Sequence, residues 1–404
     1  MLRQAVLGQL PIITLRTRDT INVADVIRYT SGKPMIQWDG TTILQKALLF
    51  IWGGTALKEP WRLVYEKFTK AGSTLLVINP TNPIPEAFDV GDLITPRDMV
   101  FKALTEALSN GPPTPAIKDY VGTLMPALGG LTLKESVEVM RLSAVDNDAL
   151  TPQSITAIRR QIVPPLQGFS QIDTDLEYYE PPKAWAAFVD SKRDYFLGDY
   201  DWRVVPRGAL LKGTPGTGKT QGVKYLANRW GVPAYRLAVD FNSKWHGESE
   251  QNVAAILAQV KHEAPCVLLM DEIEKMMAKG GDSVQEKIRS QLLWFMQENR
   301  SKVFVAMTTN DEKKLPPEMF REGRISASIE FHGLTLFEAM PFAQNVLKTF
   351  KVGDPAAAKA AVEKRVKSLF STTNPELVAH AAINEAVVST LTEEGLLNPA
   401  VKED

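Results

Sequence analysis

Cysteine is nearly missing from this chain: one residue, Cys266, in 404. No disulfide framework can form within it, which fits a reducing compartment. Net charge is nearly missing too. The 46 Lys and Arg against 47 Asp and Glu leave −1, so no global field draws the chain to nucleic acid or anionic lipid. No apolar run is long enough to span a bilayer. The opening "MLRQAVLGQLPIITLRTRDT" has neither a long apolar stretch nor a small-residue cleavage site. A cytoplasmic setting without a membrane partner is the expectation. Low-complexity segments and short-period repeats are also absent. What remains is ordinary core-forming composition, 44% hydrophobic and 23% charged with 26 Gly and 26 Pro, at a length that suggests two or three domains.

The clearest organisation lies in the middle. "RGALLKGTPGTGKTQGVKYLANRW" (207–230) reads as strand, Gly-rich loop and amphipathic helix. "APCVLLMDEIEKMM" (264–277) reads as a buried strand ending in acids, and "SKVFVAMTTN" (301–310) as another ending in a polar residue. Strands alternating with helices predict a doubly wound parallel sheet, which binds ligands at its strand C-termini. After 335 the pattern turns helical over 336–350, 355–370 and 374–391, a small α-helical unit.

Residues 1–180 form a separate unit, with "YYEPPK" (178–183) as the linker. Strands are expected over 11–19 and 73–88. Helices are expected over 95–109, 132–144 and 150–163, the first two opening at Thr N-caps. Residues 73–95 imitate 301–325 in shape: strand, Asn, proline-bearing loop, acid. The first half therefore reads as a degenerate relative of the central domain. It lacks a Gly-rich phosphate loop, so no nucleotide is expected there.

"GTPGTGKT" (213–220) satisfies G-x-x-x-x-G-K-[ST]. Gly213, Thr214, Pro215, Gly216, Thr217 and Gly218 would curl the backbone so that its N–H groups form an anion nest at a helix N-terminus. Lys219 would reach the β- and γ-phosphates of ATP, Thr220 would ligate Mg²⁺, and Gln221 follows in the same cofactor-binding run. Asp271 would hold the Mg²⁺ hydration shell, and Glu272 would polarise a water for in-line attack. Asn310 would orient that water. Arg321 and Arg324 would stabilise transferring phosphate, from a neighbouring subunit. The bland alternatives are a glycine turn, an acidic strand end, a turn asparagine and two solvated arginines. Four such features in one order favour the catalytic reading.

At these residues the chain resembles the AAA+ ATPases. "GTPGTGKT" matches Walker A, "VLLMDE" Walker B, "TTN" sensor 1, and "REGR" the second region of homology. Within them, "GESEQN", "APCVLLMDEIEKM" and "LPPEMFREGRI" most resemble the AAA+ proteins of plastid and cyanobacterial genomes and their bacterial and viral relatives. These also place an AAA-like half without Walker A first.

The resemblance implies a P-loop AAA+ module of α/β fold over 181–335, an α-helical lid over 336–404, and a degenerate AAA-like domain over 1–180. It implies a homo-oligomeric ring, usually a hexamer, with ATP or ADP between subunits. The compartment would be a bacterial cytoplasm, a phage-infected host or a plastid stroma. Departures are Ile325-Ser326 where Phe-Asp is usual, and no double-Gly motif within 181–202.

Two function classes follow. One is a protein-remodelling motor gripping a polypeptide client with Trp245, His246 and Gly247 of the pore loop. The other is an ATP-dependent binding switch that threads nothing, kept because His246 replaces the usual hydrophobe. A DNA-linked ATPase is a third and weaker reading. "AIRRQIV" (157–163) is basic but short, and reads as a solvated helix face.

Overall fold

A computed structural model describes residues 1–53, 59–109, 111–146, 150–164, 168–176, 178–237, 249–277, 283–320, 324–371 and 376–397. The chain forms two compact units, Met1–Leu150 and Thr151–Asp404.

In the first unit the described strands are β1 (Ile12–Arg16), β2 (Met35–Gln37), β3 (Leu48–Trp52), β4 (Thr74–Ile78) and β5 (Phe88–Asp92). They pair in the order β2-β3-β4-β1-β5, all parallel. β4, "TLLVI", is buried throughout, as a strand covered on both faces must be. Helices α1 (Leu2–Leu7), α2 (Val23–Ser31), α3 (Trp61–Ala71), α4 (Arg97–Ala107), α5 (Pro115–Leu124) and α6 (Leu133–Asp146) complete the unit. Val6, Val23 and Ile27 pack one face of the sheet; Trp38, Val64 and Phe68 pack the other.

Of the two expected Thr caps, Thr132 is seen: its Oγ1 accepts the Glu135 N–H, and its own N–H donates to Glu135. α4 instead starts after Pro96, one residue past Thr95, because Pro is preorganised for a helix start.

The turn from β1 into α2 is closed by the chain itself. Asp19 is buried, and its carboxylate accepts the N–H groups of Ile21 (3.2 Å), Asn22 (2.8 Å) and Lys134 (3.3 Å). Asn79, one residue past β4 at φ 52, bridges Thr17 through both backbone groups, at 2.7 and 2.9 Å. Backbone donors that would otherwise form an anion nest thus face a carboxylate of their own chain.

In the second unit the described strands are β6 (Phe169–Gln171), β7 (Gly208–Lys212), β8 (Ala234–Leu237), β9 (Cys266–Met270), β10 (Val303–Thr309) and β11 (Ala327–Glu330). Their order is β11-β7-β10-β9-β8-β6, parallel except for β6. Counting each unit's parallel strands in chain order, both sheets read fifth, first, fourth, third, second. The echo between 73–95 and 301–325 therefore falls on β4 and β10, the fourth parallel strand of each.

Helices α7 (Pro152–Ile162), α8 (Lys183–Leu197), α9 (Lys219–Trp230), α10 (Ser249–His262), α11 (Ile273–Met276) and α12 (Ser283–Glu298) accompany this sheet. Trp185 of α8 and Trp230 of α9 are fully buried beneath Phe304 and Phe331. The expected helical unit is α13 (Leu336–Leu347), α14 (Pro355–Ser371) and α15 (His380–Glu393), packed around Phe342, Val366 and Val387.

The division falls between Leu150 and Thr151, ahead of the expected boundary at 180. The reason is physical: α7 and β6 belong to the second sheet. β6 is its antiparallel edge, and Arg159 of α7 is fully buried. Its guanidinium donates to the Glu263 carboxylate and to Tyr235 Oη at 2.9 Å. The "RR" pair is thus half solvated only. Arg160 is the partly exposed member and pairs with Asp173.

Candidate active site

The site grows from the C-terminal ends of β7, β9 and β10, neighbours in the sheet. β7 leads into the loop 213–218, and α9 begins at Lys219. Two glycines are indispensable. A Cβ on Gly213, at φ +151, would lie 2.1 Å from the Phe331 carbonyl oxygen. Gly218 caps α9 at φ 86, in the left-handed region that side chains avoid. Thr217 is buried, and its hydroxyl donates to the Thr214 carbonyl at 2.9 Å, locking the curl.

Lys219 is 8% exposed. Its ammonium donates to the carbonyls of Gly213 (2.7 Å) and Thr214 (2.9 Å) and to Asn310 Oδ1 (2.9 Å). Burial pulls its pKa below the ordinary lysine value, while Glu274, Asp271 and Glu272 oppose that pull.

Across the cleft, Asp271 and Glu272 follow β9. Thr308 of β10 joins them: its Oγ1 donates to Asp271 Oδ1 (2.5 Å) and accepts the Glu272 N–H (2.9 Å). Glu272 stands at φ 51, an uncommon place for a side-chain-bearing residue. Its Oε1 accepts from Asn310 Nδ2 at 3.3 Å, and its Oε2 from Lys275. The Asn310 N–H donates to Glu274 Oε1 at 3.0 Å, and Glu274 Oε2 is buried with no partner among the described residues. Asn310 is thus the hinge between the lysine and two carboxylates.

A cavity of about 900 Å³ opens beside these groups, the size expected of a small-ligand cleft. Gly216, Lys219, Thr220 and Gln221 line it from the loop and α9, and Asp271 and Glu272 from the end of β9. Tyr178 and Tyr179 line it too, as do Phe342, His380 and Asn384 of the helical unit. The Ala381 N–H donates to the Gly216 carbonyl at 3.0 Å, tying α15 to the phosphate loop. Burial lowers the His380 pKa below its usual value, and its Nδ1 has no partner among the described residues.

The AAA family, described as "ATPase family associated with various cellular activities", matches residues 209–332. That range holds the loop, both acids and Asn310. Residues 209–332 are thus similar to an AAA ATPase domain. Similar proteins include the ATP-dependent zinc metalloprotease FtsH of Mycobacterium bovis, 30% identical over 210 residues, which is 49% of this chain and 27% of that protein. Another is the AAA domain-containing protein ycf46 of Guillardia theta, 33% identical over 176 residues, 39% of this chain and 34% of the relative. The Cell division cycle protein 48 homolog of Archaeoglobus fulgidus is 36% identical over 133 residues, 31% of this chain and 18% of the relative. The chain thus spans about a third or less of the curated relatives named here.

One cleft is lined by Lys219, Thr220, Asp271, Glu272 and Asn310. Arg324 is placed differently from a free phosphate-seeking side chain. It is 8% exposed, and its guanidinium donates to the Glu318 carbonyl and to Gln297 Oε1 (2.9 Å). Arg321, Trp245, His246 and Gly247 lie outside the described residues. Sequence reasoning missed Thr308 and Glu274. Thr308 sits two residues before Asn310 at the end of β10, and Glu274 lies in the first turn of α11 just past Glu272. The departure Ser326 has a use here: its Oγ accepts the Arg207 N–H at 3.0 Å at the start of β7. Among the described residues no helix is long and apolar enough to cross a membrane.

Thr308→Val removes one hydroxyl that serves both acids. Chemical denaturation should show a loss of about 1–3 kcal/mol, the cost of stranding buried polar partners. ATP turnover should fall at the same time. Unchanged stability together with unchanged turnover would contradict this placement.

Proposed function

We propose that this chain binds ATP with Mg²⁺ in the cleft beside Lys219 and hydrolyses it with Glu272 as general base. One observation carries the reading: Asn310 bonds both the Lys219 ammonium and the Glu272 carboxylate. Phosphate-binding and water-activating groups are thereby held in one frame. Thr220 and Asp271 fit a magnesium ion, being hard oxygen donors that both line the cleft. Among the described residues no cluster of three or more His, Cys, Asp or Glu builds a metal cage. That suits an ion held mainly by water and phosphate oxygens. When bound, the ion neutralises phosphate charge.

The protein's own residues do the rest. The loop N–H groups and the α9 N-terminus bind the phosphates. Lys219 exchanges its loop carbonyls for phosphate oxygens, which restores its charge balance. Glu272 takes a proton from the attacking water, and Asn310 orients that water. Tyr178, Phe342, His380 and Asn384 supply apolar faces and polar edges for the base, in place of the missing double-Gly motif.

The AAA frame supports a homo-oligomeric ring, hexameric in the usual case, with ATP or ADP at subunit boundaries. Arg321 is then the residue offered to the neighbour, while Arg324 bonds the Glu318 carbonyl and Gln297 within its own subunit. In such a ring Trp245, His246 and Gly247 grip a protein client. None of the four histidines opens an H-E-x-x-H pair, so the zinc protease chemistry named for FtsH has no counterpart in these 404 residues.

Glu272→Gln should bind ATP as the parent does and turn it over at least about 100-fold more slowly, in the range of a lost general base. Single-turnover assays with labelled ATP read this, and parental turnover would refute the assignment. Trp245→Ala should keep ATP turnover and ring assembly but lose work on a protein client. Size-exclusion chromatography and a client-unfolding assay read the two halves. If the variant remains fully active on the client and deletion of 1–150 abolishes partner binding, the non-threading switch replaces the motor.

A further inference from the structure

β8 carries a cation at an unexpected place. Its burial pattern is two buried residues, one exposed, one buried, and the exposed position is Arg236 between Tyr235 and Leu237. Arg236 stands in register with Leu269 of β9. From there its guanidinium reaches forward to the Asp271 carboxylate and donates to Oδ2. Asp271 Oδ1 is already taken by the Thr308 hydroxyl. Both oxygens of the carboxylate assigned to the metal side therefore have protein donors.

Arg236 also lines a smaller cavity of about 410 Å³ with Gln171, Thr220 and Lys224. Thr220 and Lys224 line the nucleotide cleft as well. The guanidinium therefore sits on the same side of the cleft as the hydroxyl proposed to hold the metal. Three cations, Lys219, Lys224 and Arg236, face this corner against Asp271 and Glu272.

The geometry points to Arg236 as an electrostatic counterweight that competes with Mg²⁺ for Asp271 and sets the concentration of free Mg²⁺ at which the site fills. This rests on the nucleotide reading given above. A carboxylate carries one charge. An arginine within hydrogen-bonding distance screens that charge from a second cation, and a metal must displace it or share with it. The pair is partly exposed, at 46% and 28% of the two side chains, so water moderates the effect without abolishing it. Arg suits the task because its charge cannot be removed by pH. Arg236 is a positioning residue: it acts on the metal site through Asp271.

The test is a Mg²⁺ titration of fluorescent ATP-analogue binding, measured without turnover in the Glu272→Gln background. Arg236→Gln should lower the free Mg²⁺ giving half-maximal binding by about ten-fold, the scale of one partly screened charge. Arg236→Lys keeps the charge and should stay within about two-fold of the parent, a scale that follows from retaining the same screened charge. An unchanged or raised Mg²⁺ requirement in Arg236→Gln would overturn the inference. So would a Lys variant that behaves like the Gln variant, since geometry rather than charge would then matter. Loss of nucleotide binding in the parent itself would sink the nucleotide reading and this inference together. Binding with an unaltered Mg²⁺ dependence would sink this inference alone.

Discussion

A buried ammonium organises the active half of this protein. Lys219 is almost wholly enclosed, and a charge taken from water needs compensation on every side. The chain supplies two loop carbonyls, the Asn310 amide, and the nearby carboxylates Asp271, Glu272 and Glu274. Those groups come from β7, β9 and β10, so the sheet order that makes these strands neighbours is a condition of the lysine's burial. Glu272, beside it, holds a left-handed backbone at φ 51. Such strain costs about 1–3 kcal/mol and persists only where surroundings over-determine it. Thr308 and Asn310 do so here.

The two sheets share one strand order, and they solve the turn after the first strand in opposite ways. In the second unit the Gly213 N–H donates to the Thr309 carbonyl at 3.2 Å, the glycine-bearing loop runs on to 218, and Lys219 opens the helix that follows. In the first, Asp19 fills the corresponding donors and Asn79 ties down Thr17. The asparagine after the fourth parallel strand is present in both. Asn310 spends its amide on the lysine and the acids; Asn79 spends its amide on the backbone. One topology thus carries a glycine loop followed by a lysine in one unit and a carboxylate-capped turn in the other.

Much of the site was legible in sequence because its chemistry is local. A nest needs glycines at fixed offsets, and an acid needs only to end a buried strand to reach a strand-end cleft. The strands around 208, 266 and 303 and the helix after 219 follow from those patterns. What escaped depends on distant partners. Arg159 looks solvated until Glu263 and Tyr235, far along the chain, are brought to it. That buried ion pair ties α7 to the second unit, and the antiparallel pairing of β6 with β8 places the three-residue edge strand there too. Arg324 escaped likewise, because Gln297 lies on a helix whose approach no local pattern reveals. Arg236 gives no motif at all; only the pairing of β8 with β9 puts it against Asp271.

We propose that nucleotide binds at the sheet that carries the 213–218 loop and expect none at the first sheet. Calorimetric titration of the full chain with Mg-ATP in the Glu272→Gln background measures it directly. The account predicts one site per chain, lost on substitution of Lys219 by Ala. Two sites per chain, or binding that survives the loss of Lys219, would contradict it.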